Sequence, residues 1–244
     1  MLNSRKDITV LGIKINNIDY EEMGFLIREA LANDIQIAVT GVNVSTINLS
    51  IDQPGFLNIL NSFEILHPDG IGLYLYSKFS KKKNQINKRI TGSDFYSFFI
   101  KEIIKMKWKI FFFGDEISTL NKIMKKNPNL EVVGLQNGFD YESEKVISNI
   151  NNSRADILIV GMGAPKQEEW IYKYRKKLNA KVIIAVGDGI KMFTGTKIRG
   201  YKIIQNLGFE WLVRLLHNPL LYWKRYLVGI PIFIIRAIKE KGKY

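Results

Sequence analysis

The chain has 244 residues, 46% of them apolar and 24% charged, an ordinary globular composition that excludes disorder as a description of the whole. It holds no cysteine and only two histidines, His67 and His217, which excludes disulfide frameworks, thiol nucleophiles, cysteine zinc sites and multi-histidine metal sites. The net charge of +13 suits a phosphate-bearing partner, although a composition rich in Ile, Lys and Asn raises the charge without function. Its distribution says more, because residues 196–244 carry ten basic and only two acidic side chains.

No apolar segment of signal-peptide type follows residues 1–6, and no apolar run is long enough to span a bilayer. The expectation is a cytoplasmic protein with a basic, partly apolar tail. Along the chain, short runs rich in Ile and Val at 8–13, 35–40, 64–66, 109–113, 130–133, 156–160 and 182–186 read as strands, several apolar throughout as in sheets buried on both faces. Between them, amphipathic stretches at 19–33, 94–107, 116–126, 142–152 and 165–177 read as helices. The first opens on the capping pattern Asp19-x-x-Glu22, and Pro165 suits a first helical turn. Ser93 or Asp94 is expected to cap the helix after Arg89, and 81–88 is expected to be a mobile charged loop. After residue 195 only helical patterns remain, at 205–217 and 220–239. Strand–helix alternation predicts an α/β domain over 1–195 with a mostly parallel sheet covered by helices on both faces, followed by a helical basic appendage over 196–244.

Ligands of open α/β sheets bind beyond the carboxyl ends of the strands. Five loops expected there pair glycine with a polar side chain: Gly41-Val42-Asn43, His67 to Gly72, Gly114-Asp115, Gly161 to Glu168, and Gly187-Asp188-Gly189. Gly163 and Gly187 suit close approach of a diphosphate to backbone amides, with Lys166 and Gln167 at the following helix start, although a tight turn alone would explain the glycines. The Gly161-x-Gly163 spacing is neither a dinucleotide fingerprint nor a Walker sequence. Asp69, between Pro68 and Gly70, is either a turn former or a carboxylate able to take a proton from a hydroxyl nucleophile. Asp140-Tyr141-Glu142 is the nearest approach to a metal pattern and reads better as a helix cap, so no metal and no cofactor is expected. In the tail, Trp211, Tyr222, Trp223 and Tyr226 interleave with Arg214, Lys224 and Arg225, as in a packing face or an interfacial membrane segment.

Taken together, PDGIG (68–72), RITGSD (89–94), GMGAPKQE (161–168), LGFEWLVRL (207–215) and WKRY (223–226) resemble the WecG/TagA/CpsF family of bacterial glycosyltransferases over nearly the whole chain. The resemblance implies a Rossmann-like fold and a metal-independent, inverting transfer. The donor it implies is a UDP-sugar of the N-acetylmannosamine type, and the acceptor is N-acetylglucosamine on undecaprenyl diphosphate. It implies Asp69 as general base, Asn43, Arg89 and Gln167 as polar pocket residues, Gly138 and Phe139 near the nucleotide base, and Arg214 and Arg225 near diphosphate. Four departures stand out. Thr40 lies one place before the usual threonine position, Lys191 replaces an aspartate, Gly200-Tyr201 follows Arg199 in place of Ala-Pro, and Leu221 replaces an arginine. Lys191 raises the alternative of an acidic donor sugar. The expected partners are the UDP-sugar, the lipid-linked acceptor and an anionic membrane surface at the inner face of the cell membrane, with homo-oligomerisation left open. A basic nucleic-acid-binding protein and a non-catalytic membrane scaffold are the competing readings; neither accounts for the five-loop edge.

Overall fold

The computed structural model describes residues 7–79, 85–86, 91–198 and 200–241. Arg89, Arg199 and most of the charged stretch 81–88 lie outside the described residues. The chain opens on an antiparallel hairpin, β1 (Ile8–Val10) and β2 (Ile13–Ile15). The single strand expected over 8–13 is therefore two. Leu11 and Gly12 both take positive φ, 48° and 87°, which reverses the chain in two residues. Asn16 then ties the hairpin to the sheet, its Oδ1 accepting from the Leu66 amide at 2.7 Å.

There follow α1 (Tyr20–Ala32), β3 (Ile37–Val42), α2 (Val44–Asp52), α3 (Pro54–Asn61), β4 (Ile65–Pro68), α4 (Ile71–Phe79), α5 (Gly92–Met106), β5 (Lys109–Gly114) and α6 (Ile117–Lys126). The α/β part continues through β6 (Glu131–Gln136), α7 (Ser143–Ser153), β7 (Ile157–Gly161), α8 (Lys166–Tyr174), β8 (Val182–Ala185) and α9 (Ile190–Thr194). Strands β3 to β8 form one six-stranded sheet, wholly parallel, in the order β4-β3-β8-β7-β5-β6. Side chains alternate along each strand, so the sheet feeds two cores. Ala38, Phe111, Leu158 and Ile183 meet α2, α3, α4, α7 and α8 on one face, while Val39, Phe112, Ile159 and Ile184 meet α1, α5, α6 and α9 on the other.

The capping box expected at Asp19 is present, with Asp19 accepting from the Glu21 and Glu22 amides and Glu22 accepting from the Asp19 amide. The cap of α5 is neither Ser93 nor Asp94. Thr91 is extended there, so its Oγ1 reaches the Asp94 amide at 3.2 Å and donates to the Asp94 carboxylate at 2.7 Å. Glu142 occupies the N-cap position of α7, yet its carboxylate pairs with Lys145 at 2.7 Å and caps nothing.

The tail is α10 (Lys202–Leu207), α11 (Glu210–His217), α12 (Pro219–Trp223), a π-helical turn (Lys224–Val228) and α13 (Gly229–Lys241). The helix expected over 205–217 breaks at Gly208, whose φ of 85° closes α10. The helix expected over 220–239 is the α–π–α run. Phe233 and Ala237 join the first core, and Phe233 meets Tyr76 edge-on at 5.6 Å. Polar ties fix α13, among them Asn48 Nδ2 donating to Gly229 O at 2.7 Å, Arg236 donating to Asn48 O at 3.0 Å and pairing with Asp52, and the Tyr76 hydroxyl donating to Glu240 at 2.5 Å. The last helix is thus docked across α2 and α4.

Candidate active site

The carboxyl ends of β3, β4, β7 and β8 form the floor of one cleft of about 1120 Å³, and the tail helices close it from above. Asp69 stands just past β4. Its amide donates to Val42 O at 2.7 Å, and its Oδ1 accepts from the Gly92 amide at 2.8 Å. The start of α5 therefore orients the carboxylate and leaves Oδ2 as the oxygen able to take a proton. Next to it, His67 is buried against Phe95. Burial holds its imidazole below the ordinary range against the pull of Asp69, so it is neutral, and its Nε2 has no partner among the described residues. The Tyr96 phenol is pushed far up, by burial first and then by the charges of Asp69 and Glu168.

Glu168 is only 1% exposed and links three strand ends. Its Oε1 accepts from the Thr40 hydroxyl at 2.9 Å and from Gln167 Nε2 at 2.8 Å. Gln167 in turn accepts from the amides of Gly187 at 2.8 Å and Gly163 at 3.2 Å. The oxygen end of the Gln167 amide thus holds the glycine loops after β7 and β8, and its nitrogen end is tied to Glu168. Burial raises the Glu168 carboxyl toward its neutral form, against the hydrogen bonds from Gln167 and Thr40. Asn43 also serves the frame: its Oδ1 caps α2 by accepting from Ser45 and Thr46, which leaves its amide nitrogen to offer a ligand.

Basic groups crowd the other side. Lys197, 6% exposed at its side chain, is ion-paired to Asp188 and donates to the Asp188 carbonyl at 3.0 Å. Burial and then repulsion from Arg214 pull its ammonium down to about 8, against the attraction of Asp188. Lys191 meets the same carboxylate at 3.1 Å. Burial opposes ionisation of Asp188, yet Lys197 and Lys191 together hold it below the usual range. Arg214 pairs with Glu210 at 3.1 Å, and its buried Nε has no partner among the described residues.

Of the residues singled out in the sequence, Thr40, Asn43, Asp69, Gly163, Gln167, Gly187, Arg214 and Arg225 line this cleft. Lys191 reaches it only through Asp188. Gly138, Phe139 and Lys166 form a separate group, in which Lys166 Nζ donates to Gly138 O at 2.9 Å and lies over the Tyr141 ring while Phe139 is exposed. His67, Glu168 and Asp188 also line the cleft, in loops the sequence singled out without giving them a role, and Tyr96, Lys197 and Glu210 line it although the sequence pointed to none of them. Glu168 closes a segment already singled out, whereas Lys197 and Glu210 register in the sequence only as tail charge. No group of three or more histidine or carboxylate side chains gathers to hold a metal among the described residues.

The sequence profile of the Glycosyl transferase WecG/TagA/CpsF family matches residues 8–244. Similar proteins include an N-acetylglucosaminyldiphosphoundecaprenol N-acetyl-beta-D-mannosaminyltransferase of Bacillus subtilis (strain 168), 27% identical over 93% of this chain and 91% of that protein. A protein of the same name from Staphylococcus aureus (strain MRSA252) is 28% identical over 97% of this chain and 94% of its own length. Another, from Bacillus spizizenii (strain ATCC 23059 / NRRL B-14472 / W23), is 29% identical over 79% of this chain and 75% of its own. A match that begins with the first strand and runs through the docked tail leaves no element of the fold outside it, and the chain belongs to the Glycosyl transferase WecG/TagA/CpsF family.

Proposed function

We propose that the protein transfers an N-acetylmannosaminyl group from a UDP-sugar to N-acetylglucosamine carried on a polyprenyl diphosphate, with inversion and without a metal or other cofactor. The observation that carries the reading is Asp69, oriented by Gly92 and set in a cleft whose other lining side chains include Lys197, Arg214 and Arg225. The acceptor hydroxyl attacks the anomeric carbon from the face opposite the diphosphate. Its proton passes to Asp69 Oδ2 as the new C–O bond forms. The bond from the anomeric carbon to the diphosphate oxygen breaks, and UDP leaves as the anion. Single displacement needs one base and preformed positive charge where the leaving group develops its own. In this reading Lys197, Arg214 and Arg225 supply that charge, while the amides of Gly163 and Gly187 are held by Gln167.

In this reading the segment 196–244 also holds the protein peripherally at the cytoplasmic face of the membrane. Support comes from the tail's outer surface, where Tyr201, Ile203, Leu216, Leu220 and Leu221 are exposed beside Lys202 and Lys224. Each basic residue near an anionic leaflet contributes ~1 kcal/mol. No helix among the described residues is long and apolar enough to cross a membrane. The test is UDP release from UDP-N-acetylmannosamine in excess EDTA, with and without a short-chain lipid-diphosphate N-acetylglucosamine. Acceptor-dependent release is expected. Absence of release, or release only after Mg²⁺ or Mn²⁺ is restored, contradicts the reading.

A further inference from the structure

The cleft has a second arm. It is lined by α4 and α13, and no charged side chain of either helix lines it. Ile230, Ile234 and Ile238 follow one another at four-residue intervals on α13, which makes a single stripe. Leu75 and Phe79 form the matching stripe on α4. These side chains are not core that happens to border a cavity. Phe233 and Ala237 do the docking of α13, while Ile234 is 50% and Leu75 44% exposed. Two facing apolar stripes left open to water are costly unless a ligand covers them. Asp69, Arg214 and Arg225 line the same cleft.

We infer that this arm binds the first isoprene units of the acceptor lipid, so that the enzyme grips the chain itself as well as the sugar and diphosphate. The inference rests on the function proposed above. One cleft joins a base, two arginines and an uncharged apolar trough, the three chemistries that the sugar hydroxyl, diphosphate and hydrocarbon of such an acceptor call for. An outward-facing apolar surface would serve a bilayer equally well. A trough continuous with the reacting centre serves one chain.

The test uses N-acetylglucosamine diphosphate esterified with methyl, geranyl or farnesyl, in buffer without bilayer or micelles, with UDP-N-acetylmannosamine as donor. The farnesyl acceptor is expected to have a KM at least about tenfold below the methyl one, since each buried methylene contributes appreciably. Ile234→Asp and Leu75→Asp are expected to raise KM for the farnesyl acceptor about tenfold and to leave turnover of the methyl acceptor unchanged, which also shows that the variants fold. Equal KM for methyl and farnesyl in the wild type overturns the inference and leaves the transferase reading standing. So does an equal loss on both acceptors in the variants, or no loss in buffer with a loss when the same assay is repeated on anionic vesicles, which assigns the stripes to the bilayer. Turnover of none of the three acceptors overturns both.

Discussion

Glu168 joins loops that lie far apart in the chain, for Thr40 on one side is 128 residues away and Gln167 on the other is its neighbour. A glutamine at 168 keeps the accepting carbonyl and is neutral, as burial favours for the native side chain. Glu168→Gln is therefore expected to retain turnover within a few-fold. Glu168→Ala leaves two buried donors without an acceptor, at ~1–3 kcal/mol each, and is expected to lose both melting temperature and turnover. The sign of the pH effect follows from the raised carboxyl. The folded protein keeps a proton that the unfolded chain gives up, so this stabilisation is complete below the ordinary glutamate range and is lost as pH rises toward the folded value. Melting curves of Glu168→Gln and wild type should thus diverge in favour of the variant as pH is raised from about 4 to 8. Lys197 supplies the opposite limb. With its ammonium lowered to about 8, it sheds its charge above that pH, and the rate of UDP release should fall there. Lys197→Met is expected to be slower at neutral pH and to lack that alkaline decline. A wild-type profile flat to pH 9.5 or so would remove Lys197 from leaving-group stabilisation.

At the scale of elements, α11 and the π turn bring Arg214 and Arg225 to the cleft in different ways. Arg214 pairs with the buried Glu210, so Arg214→Ala removes a cation from beside that carboxylate and should lower both melting temperature and turnover. Arg225 lies half-exposed over the Tyr226 ring, and Arg225→Ala should lower turnover with little change in melting. Thermal melts paired with initial rates distinguish these outcomes; normal rates in both variants would place the diphosphate cations elsewhere. The central strands were legible because β7 and β8, apolar on both faces, leave no other reading for Ile157–Gly161 and Val182–Ala185. Helices α2, α3, α4 and α9 were not. They are short, and α2 starts two residues past the end of β3, so the periodic window that marks a helix never opens. The hairpin was missed because Leu11 gives no sign of a positive φ. In the site, Asp69 and the glycine loops announced themselves through turn chemistry at the sheet edge. Gln167 was legible as polar but not as a brace, since its partners Gly163 and Gly187 come from two different strand ends.

At the scale of the molecule, charge and apolar exposure coincide. The segment with eight of the thirteen net charges also roofs the cleft and carries the exposed leucines of α11 and α12. Binding to vesicles containing anionic lipid is expected at low salt and should weaken sharply between about 0.05 and 0.5 M NaCl, as the Debye length contracts. Binding equally tight to neutral vesicles, or none to either, would contradict a charge-led membrane contact. Co-sedimentation measures it. The central claim is that Asp69 is the base of a transfer carried out in this cleft, and the rate of Asp69→Asn addresses it most directly. UDP release from UDP-N-acetylmannosamine with farnesyl-diphosphate-linked N-acetylglucosamine is expected to fall ~10²–10⁴-fold in the variant, with melting temperature and UDP affinity held at wild-type values. A variant that folds, binds UDP and turns over within a few-fold of wild type would contradict the account.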